Sequence, residues 1–180
     1  FSPRKTTPST FEFVDIVGLE KGDAAGSLSL AALKPMDALA LVVRAFTDEA
    51  ILHSEGSIDP RRDFETMEME LILADLDSAQ RRAERLRVSI PKTNKPDEKK
   101  ELAAVEKVIA RLEAGEPLRA MELNAEEEKA LRGFAFYSAK PLLVVINAGE
   151  QDVAKIENAA DAWGLAEAAR HPGVRVVGVS

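Results

Sequence analysis

ALALVVRAF, at residues 38–46, is an almost unbroken apolar run with the length of one β-strand. Runs of this kind are typical of strands in parallel sheets that are covered by helices. Two more follow near the other end of the chain, LLVVI at residues 142–146 and VRVVGV at residues 174–179. A helix predicted over residues 153–170 separates these two runs. Strand–helix–strand repeats predict a doubly wound α/β domain with helices on both faces of a mostly parallel sheet, whose ligands bind where the strands end.

A second pattern lies between the first two of these strands. Residues 63–88 carry apolar side chains at alternating spacings of three and four, and residues 102–112 continue the alternation after a polar break at residues 91–97. This spacing keeps one apolar stripe facing a partner helix. It predicts an antiparallel helical hairpin inserted into the sheet domain. The residues in the stripe are Met69, Ile72, Leu76, Ala79, Ala83, Leu86, Leu102, Val105, Ile109 and Leu112.

The composition narrows the functional class. The 180 residues carry a formal net charge of −7 and no cysteine, which excludes disulfides and a cysteine nucleophile and fits a reducing compartment such as the cytoplasm. The acidic balance argues against a broad nucleic-acid-binding face, because neutralising phosphates requires clustered Lys and Arg. No apolar run reaches the roughly 18 residues of a membrane span, so no membrane partner is expected. Because the chain starts at Phe1 without a leader, we expect it to be part of a longer protein.

A local basic cluster stands against this acidic balance. It lies where the hairpin is predicted to turn and consists of Arg81, Arg82, Arg85, Arg87, Lys92, Lys95, Lys99 and Lys100. Charges on an exposed helix usually serve only solvation. The alternative is a docking surface for RNA or for an acidic partner.

Two short motifs occur where predicted strands end. A strand predicted over residues 10–16 (TFEFVDI) ends near Asp15, and Gly18 follows three residues later. In phosphate-binding α/β domains such a carboxylate serves Mg²⁺, and the glycine lets a backbone N–H approach the terminal phosphate. Asn147 and Glu150 follow the LLVVI strand, where they could bond the edge of a purine. Alone, D-x-x-G occurs often by chance and the second motif is also an ordinary strand-ending turn.

Several ordered segments together resemble the YchF family, also called Obg-like ATPases, within the translation-factor-related GTPase class. The resemblance covers residues 3–180 and implies a P-loop NTPase fold with a coiled-coil insertion. It implies partial nucleotide-binding domain segments at residues 1–62 and 117–180, and the hairpin at residues 63–116. The segments that carry it are FVDIVGLEKG (13–22), ALALVVRAF (38–46), ILHSEGSIDPRRD (51–63), ELILADLDSAQRRAERL (70–86) and AKPLLVVINAGE (139–150).

The resemblance also implies roles for individual residues at the phosphate end. Asp15 matches the Mg²⁺-associated aspartate and Gly18 the γ-phosphate glycine. Leu19 stands where related GTPases have a water-orienting glutamine, and leucine forms no hydrogen bond through its side chain. His53 matches the histidine that is proposed to orient water in its place. Without the resemblance, His53 would be an ordinary loop or edge histidine.

At the base end, Asn147 and Glu150 match the family's N-x-x-E motif. Because glutamate is one methylene longer than aspartate, it loosens the two-point grip on guanine, and the family is associated with ATP at least as much as with GTP. The phosphate-binding loop G-x-x-x-x-G-K-S/T is absent from this sequence. We therefore expect a Mg²⁺-dependent, ribosome-associated ATP or GTP hydrolase in the parent protein, and weak nucleotide binding with negligible hydrolysis by this chain alone. The alternative is a non-catalytic module that docks through the basic-tipped hairpin.

Overall fold

The computed structural model describes residues 10–16, 30–48, 50–51, 53 and 56–180. The chain divides into two compact units, residues 1–32 and residues 33–180. The second unit contains, in chain order, β1 (Leu39–Arg44), α1 (Pro60–Thr93), α2 (Pro96–Glu113), a 3-10 turn (Leu118–Ala120), α3 (Ala125–Leu131), a second 3-10 turn (Arg132–Phe134), β2 (Leu142–Asn147), a 3-10 helix (Glu150–Asn158), α4 (Ala159–Ala162), α5 (Ala166–Arg170) and β3 (Val174–Val179). In these described ranges, no helix is both long and apolar enough to cross a lipid bilayer.

In the first unit, residues 10–16 form no regular secondary structure, so the strand predicted there is wrong. The alternating aromatic side chains of this segment are exposed, and Phe13 is 90% exposed. A strand needs a neighbour that pairs with its backbone groups, and side-chain alternation alone does not supply one. The backbone ladders of the described sheet all belong to β1, β2 and β3.

The predicted parallel sheet is confirmed. The strand order is β1-β2-β3, and both neighbouring pairs are parallel. The register places Arg44 beside Asn147, and Asn147 beside Val179, so the carboxyl ends of all three strands meet at one edge. Residues that follow β1 and β2 are therefore brought together although they are about 100 positions apart in sequence.

The two faces of the sheet differ in burial. Val43, Val144 and Ile146 point to one face and are buried, whereas Val42 on the other face is 63% exposed. The 3-10 helix covers the buried face so closely that a Cβ at Gly178 would lie 3.0 Å from the backbone of Ile156. Any larger residue at this position would have to push the 3-10 helix away from β3 by a few tenths of an ångström.

The segment between β2 and β3 is not the single helix that was predicted. The 3-10 helix, α4 and α5 follow one another, and Gly164 interrupts them with a φ of +71°. Residues with a side chain rarely adopt this backbone conformation, so glycine allows the chain to turn between α4 and α5. Local apolar spacing is similar in one long helix and in several short ones, which is why the sequence did not reveal the break.

The predicted helical hairpin is confirmed as α1 and α2. At 1.5 Å per residue, the 34 residues of α1 span about 50 Å. Ala79, Ala83 and Ala104 are buried, and their small side chains let the two helices approach closely. α1 continues through Pro91 to Thr93, beyond the predicted break, and Asn94 then turns the chain with a left-handed φ of 50°. The stripe faces the partner helix as predicted, except that Met69 is exposed.

A buried carboxylate ties the hairpin to the segment that enters β2. Asp75 of α1 is only 1% exposed. Its Oδ1 accepts a hydrogen bond from the Tyr137 backbone N–H at 2.9 Å, and its Oδ2 accepts from the Ser138 N–H and Oγ–H, each at 2.7 Å. Burial raises the pKa of Asp75, while the bonds from Ser138 and Tyr137 act in the opposite direction.

Asp75→Ala should lower the free energy of unfolding by about 3 kcal/mol, because it leaves buried donors of Tyr137 and Ser138 without an acceptor. Urea unfolding followed by circular dichroism measures the change. Asp77→Ala, two positions along the same helix, removes only an exposed ion pair with Arg81 and should cost about 0.5 kcal/mol or less. Equal stability of the two variants would contradict the anchoring role of Asp75.

Candidate functional site

An open cleft of about 410 Å³ lies where β1 and β2 end. Phe46 and Thr47, which follow β1, form one side, and residues 147–151, which end and follow β2, form the other. Two backbone hydrogen bonds hold this edge together: Ala45 N–H donates to Asn147 O and Ala148 N–H donates to Val179 O, each at 2.8 Å. The volume lies within the range of small-molecule sites, and the place is the strand-end edge that the sequence predicted for a ligand.

Asn147 and Glu150 both line this cleft, as does Gln151. Asn147 is half-buried at the end of β2, whereas Glu150 is exposed at the start of the 3-10 helix. An amide offers both a donor and an acceptor, and a carboxylate offers acceptors only. The two side chains can therefore bond a planar ligand that presents an amino group beside a ring nitrogen.

Gln151 is a lining residue that the sequence analysis missed. A Cβ at Gly149 would lie 2.6 Å from the Gln151 side-chain nitrogen, so glycine leaves the room that this amide occupies. The neighbouring backbone is fixed by the Asp152 N–H, which donates to Gly149 O at 2.8 Å. The small Ala148 and Gly149 thus provide space and backbone geometry, and Gln151 adds a third polar side chain.

His53 forms a close pair with the first turn of α1. Its Nε2 lies 3.0 Å from Asp63 Oδ2, and its side chain is only 13% exposed. Asp63 Oδ1 also accepts from the guanidinium of Arg62, at 2.8 Å from Nη2. A carboxylate at this distance accepts the Nε2–H and so fixes the orientation and tautomer of the imidazole.

Two carboxylates lie at the start of α1. Asp59 is the N-cap, and its carboxylate accepts from the Arg62 N–H at 3.1 Å. Asp63 lies in the first turn and also faces His53. His53 and Asp63 are ten positions apart and follow no periodic spacing, so only the tertiary structure brings them together.

Three of the predicted phosphate-end residues, Asp15, Gly18 and Leu19, fall within the residue range of the first unit. Asp15 is exposed within residues 10–16, and Gly18 and Leu19 lie outside the described residues. Within the described ranges, no three His, Asp or Glu side chains gather in a way that could hold a metal ion. Mg²⁺ binding through Asp15 therefore stays a prediction.

The basic side chains of the hairpin are largely paired within the hairpin and with α3. Arg82 makes a two-pronged bond with Glu101, 2.7 Å in each arm, which raises the pKa of Arg82. Lys99 donates to the Asn94 side chain, and Arg85 donates to the Arg81 carbonyl. Five of the eight basic side chains pair with carboxylates, which favours the solvation role over a phosphate-binding one. The other ion pairs are Arg81–Asp77, Arg87–Glu106, Lys95–Glu98 and Lys100–Glu126.

The chain is similar to curated proteins in bacteria and plants, although no family model matches it. It is 39% identical over 153 residues to the ribosome-binding ATPase YchF of Haemophilus ducreyi, which is 83% of this chain and 42% of that protein. It is 36% identical over 157 residues to the ribosome-binding ATPase YchF of Bacillus subtilis, covering 85% and 43% of the two chains. With the Obg-like ATPase 1 of rice (Oryza sativa subsp. indica) it shares 31% identity over 88% of its length and 41% of that protein.

A solved structure shows the same architecture. The YchF GTPase of Schizosaccharomyces pombe superimposes with a TM-score of 0.69 at 28% identity, over 91% of this chain and 45% of that one. This match confirms the predicted fold class. This chain spans less than half the length of the relatives it matches.

The pair between His53 and Asp63 predicts a protected imidazole N–H. In the wild type, we expect an Nε2–H proton resonance of His53 that exchanges slowly with water, because the carboxylate accepts it in a shielded place. Asp63→Ala should abolish this signal in low-temperature proton NMR. Asp59→Ala, which removes only the helix cap, should retain it, and exposed His171 serves as the internal reference. A signal that persists in Asp63→Ala would show that the pair does not form in solution.

Proposed function

Because the chain is a homologue of the YchF and Obg-like ATPases over about four-fifths of its length, we propose that it forms the base-binding part of a nucleoside triphosphatase. The cleft lined by residues 147–151 is the observation that carries this proposal. The division into nucleotide-binding segments 1–62 and 117–180, with the hairpin at 63–116, belongs to the same proposal.

In this cleft, Asn147 and Glu150 recognise the purine. The Glu150 carboxylate accepts from an exocyclic amino group, and the Asn147 amide donates to a ring nitrogen. Phe46 adds an aromatic ring on the opposite side, on which a base can stack. Since glutamate is one methylene longer than aspartate, Glu150 grips guanine less tightly, and the motif accepts adenine as well as guanine, with ATP favoured over GTP.

At the other end of the nucleotide, Asp15 and Gly18 serve the phosphates and His53 positions the attacking water. Mg²⁺ usually binds through one or two carboxylates together with the substrate's phosphates, and the single carboxylate of Asp15 is consistent with this coordination. When bound, the ion neutralises negative charge on the phosphates. Leu19 cannot orient water by hydrogen bonding, so the task falls to the imidazole that Asp63 holds in place.

The relatives' names give the wider setting of the proposal. Two of the bacterial relatives are named as ribosome-binding ATPases, and we extend ribosome association, and with it a cytoplasmic location, to the parent of this chain. The alternative, a non-catalytic module that docks through the hairpin, is supported by the exposed cations Arg85 and Lys92 at its outer half. The internal ion pairs of the tip weigh against it.

Binding of the base can be measured on this chain by NMR titration with adenosine and guanosine. We expect amide shifts centred on residues 147–151, with a Kd on the order of 1 mM or weaker, because phosphate contacts supply most of a nucleotide's affinity. Asn147→Ala should abolish the shifts. Glu150→Asp should raise the preference for guanosine, since the shorter side chain restores the tighter grip. Glu157→Gln, exposed on the same 3-10 helix outside the cleft, is the control. Shifts confined to another surface would overturn the proposal.

Hydrolysis separates this chain from a complete relative. With ATP and Mg²⁺, we expect the chain alone to release no phosphate above background, because the sequence contains no G-x-x-x-x-G-K-S/T loop to supply backbone N–H groups and a lysine. Fluorescent ATP and GTP analogues with the two proteins side by side measure binding under the same conditions. Hydrolysis by this chain at the relative's rate would contradict the prediction, and no binding by either protein would favour the docking module.

A further inference from the structure

Arg44 makes an unusual set of contacts at the end of β1. Its Nε donates to Phe46 O at 2.9 Å, its Nη1 to Ile51 O at 2.9 Å and its Nη2 to Asp48 O at 3.2 Å. Its Cζ also lies 4.6 Å from the centroid of the Phe46 ring. One guanidinium thus gathers three backbone carbonyls and one aromatic ring of the loop that follows the strand.

This loop forms one side of the cleft. Phe46 and Thr47 line it, opposite residues 147–151. Arg44 itself stands beside Asn147 in the sheet register, so the two sides of the cleft start from neighbouring positions on adjacent strands. The position of Phe46 relative to Asn147 therefore depends on how the loop leaves β1.

The described residues of this loop make few other hydrogen bonds that could set this course. The Ala50 N–H donates to Asp48 Oδ1 at 2.9 Å, and the Ile51 N–H donates to Asp48 O at 3.2 Å, so both bonds stay within the turn itself. Neither connects the turn to the sheet. The Arg44 guanidinium, anchored on β1, makes that connection, and only a planar fork with several donors reaches three carbonyls at once.

We propose that Arg44 is a positioning residue for the base cleft: it holds the backbone of Phe46, Asp48 and Ile51 so that the Phe46 ring faces the base, and it thereby sets the affinity for the base without touching the phosphates. This inference rests on the proposed nucleotide-binding function of the cleft. An arginine that only stabilised a turn would change the melting temperature and leave the preference for ligands with a base unchanged.

The test is an NMR titration of the wild type, Arg44→Gln and Arg44→Lys with adenosine and, separately, with tripolyphosphate. Arg44→Gln should reduce the initial slope of the adenosine-induced shifts at residues 147–151 by about tenfold, which corresponds to the free energy of about one charge-assisted hydrogen bond. Arg44→Lys keeps the positive charge but not the forked guanidinium, so its initial slope should lie between those of the wild type and Arg44→Gln. The response to tripolyphosphate, which has no base, should be the same in all three proteins.

Arg175→Lys is the matched control, because Arg175 lies on β3 and donates to the carbonyl of Val174, away from the cleft lining. Amide spectra and thermal unfolding of each variant show whether it is folded, and Arg44→Lys carries the test if Arg44→Gln is not. Adenosine binding that is equal in the wild type and the folded Arg44 variants would overturn the role of Arg44 alone. An absence of adenosine binding in the wild type would overturn the proposed function of the cleft, and this inference with it.

Discussion

The parallel pairing of β1 and β2 is the constraint on which the candidate site depends. Parallel strands end at the same edge, so Arg44 and Asn147 become neighbours and the loops that follow them enclose one cleft. Had the two strands paired in the antiparallel sense, Phe46 and Glu150 would lie at opposite edges of the sheet. The chemistry of the cleft, a polar amide–carboxylate side facing an aromatic side, is a direct consequence of this register.

The hairpin is integrated with the sheet through buried polar contacts as well as through apolar packing. Asp75 satisfies the backbone N–H groups of Tyr137 and Ser138 just before β2 begins. Arg119, whose side chain is almost fully buried, bonds Glu68 of α1 and the carbonyl of Lys140. Buried charges of this kind are costly unless partnered, so their geometry fixes where α1 sits on the segment that leads into the cleft.

Asp63 and Arg44 position other residues of the site through hydrogen bonds and ion pairs. Asp63 lies in the first turn of α1 and holds His53, while Arg44 holds the turn between β1 and His53. Arg44 on β1 thus bonds the carbonyls of Phe46, Asp48 and Ile51, and Asp63 on α1 pairs with His53. Arg44 therefore borders the candidate cleft, and Asp63 connects the proposed water-positioning histidine to the hairpin.

Much of this could be predicted because the deciding signals are local. Continuous apolar runs identified all three strands of the sheet, and alternating apolar spacing identified both hairpin helices, since burial periodicity is written along the chain. The strand at residues 10–16 was wrong because alternation describes side chains and cannot provide a pairing partner. The single helix predicted after β2 was wrong because Gly164 interrupts the segment with a backbone conformation that apolar spacing does not reveal.

By itself, the sequence determined the fold class, the hairpin and the strand-end positions of Asn147 and Glu150, because each depends on residues close together in the chain. Only the tertiary structure decided that Asp63 faces His53, that Gln151 fills the space beside Gly149 and that Arg44 clamps the opposite side of the cleft. These are hydrogen bonds and contacts between side chains and particular folded loops. They follow from the path of the backbone in space, which no periodic pattern of residues encodes.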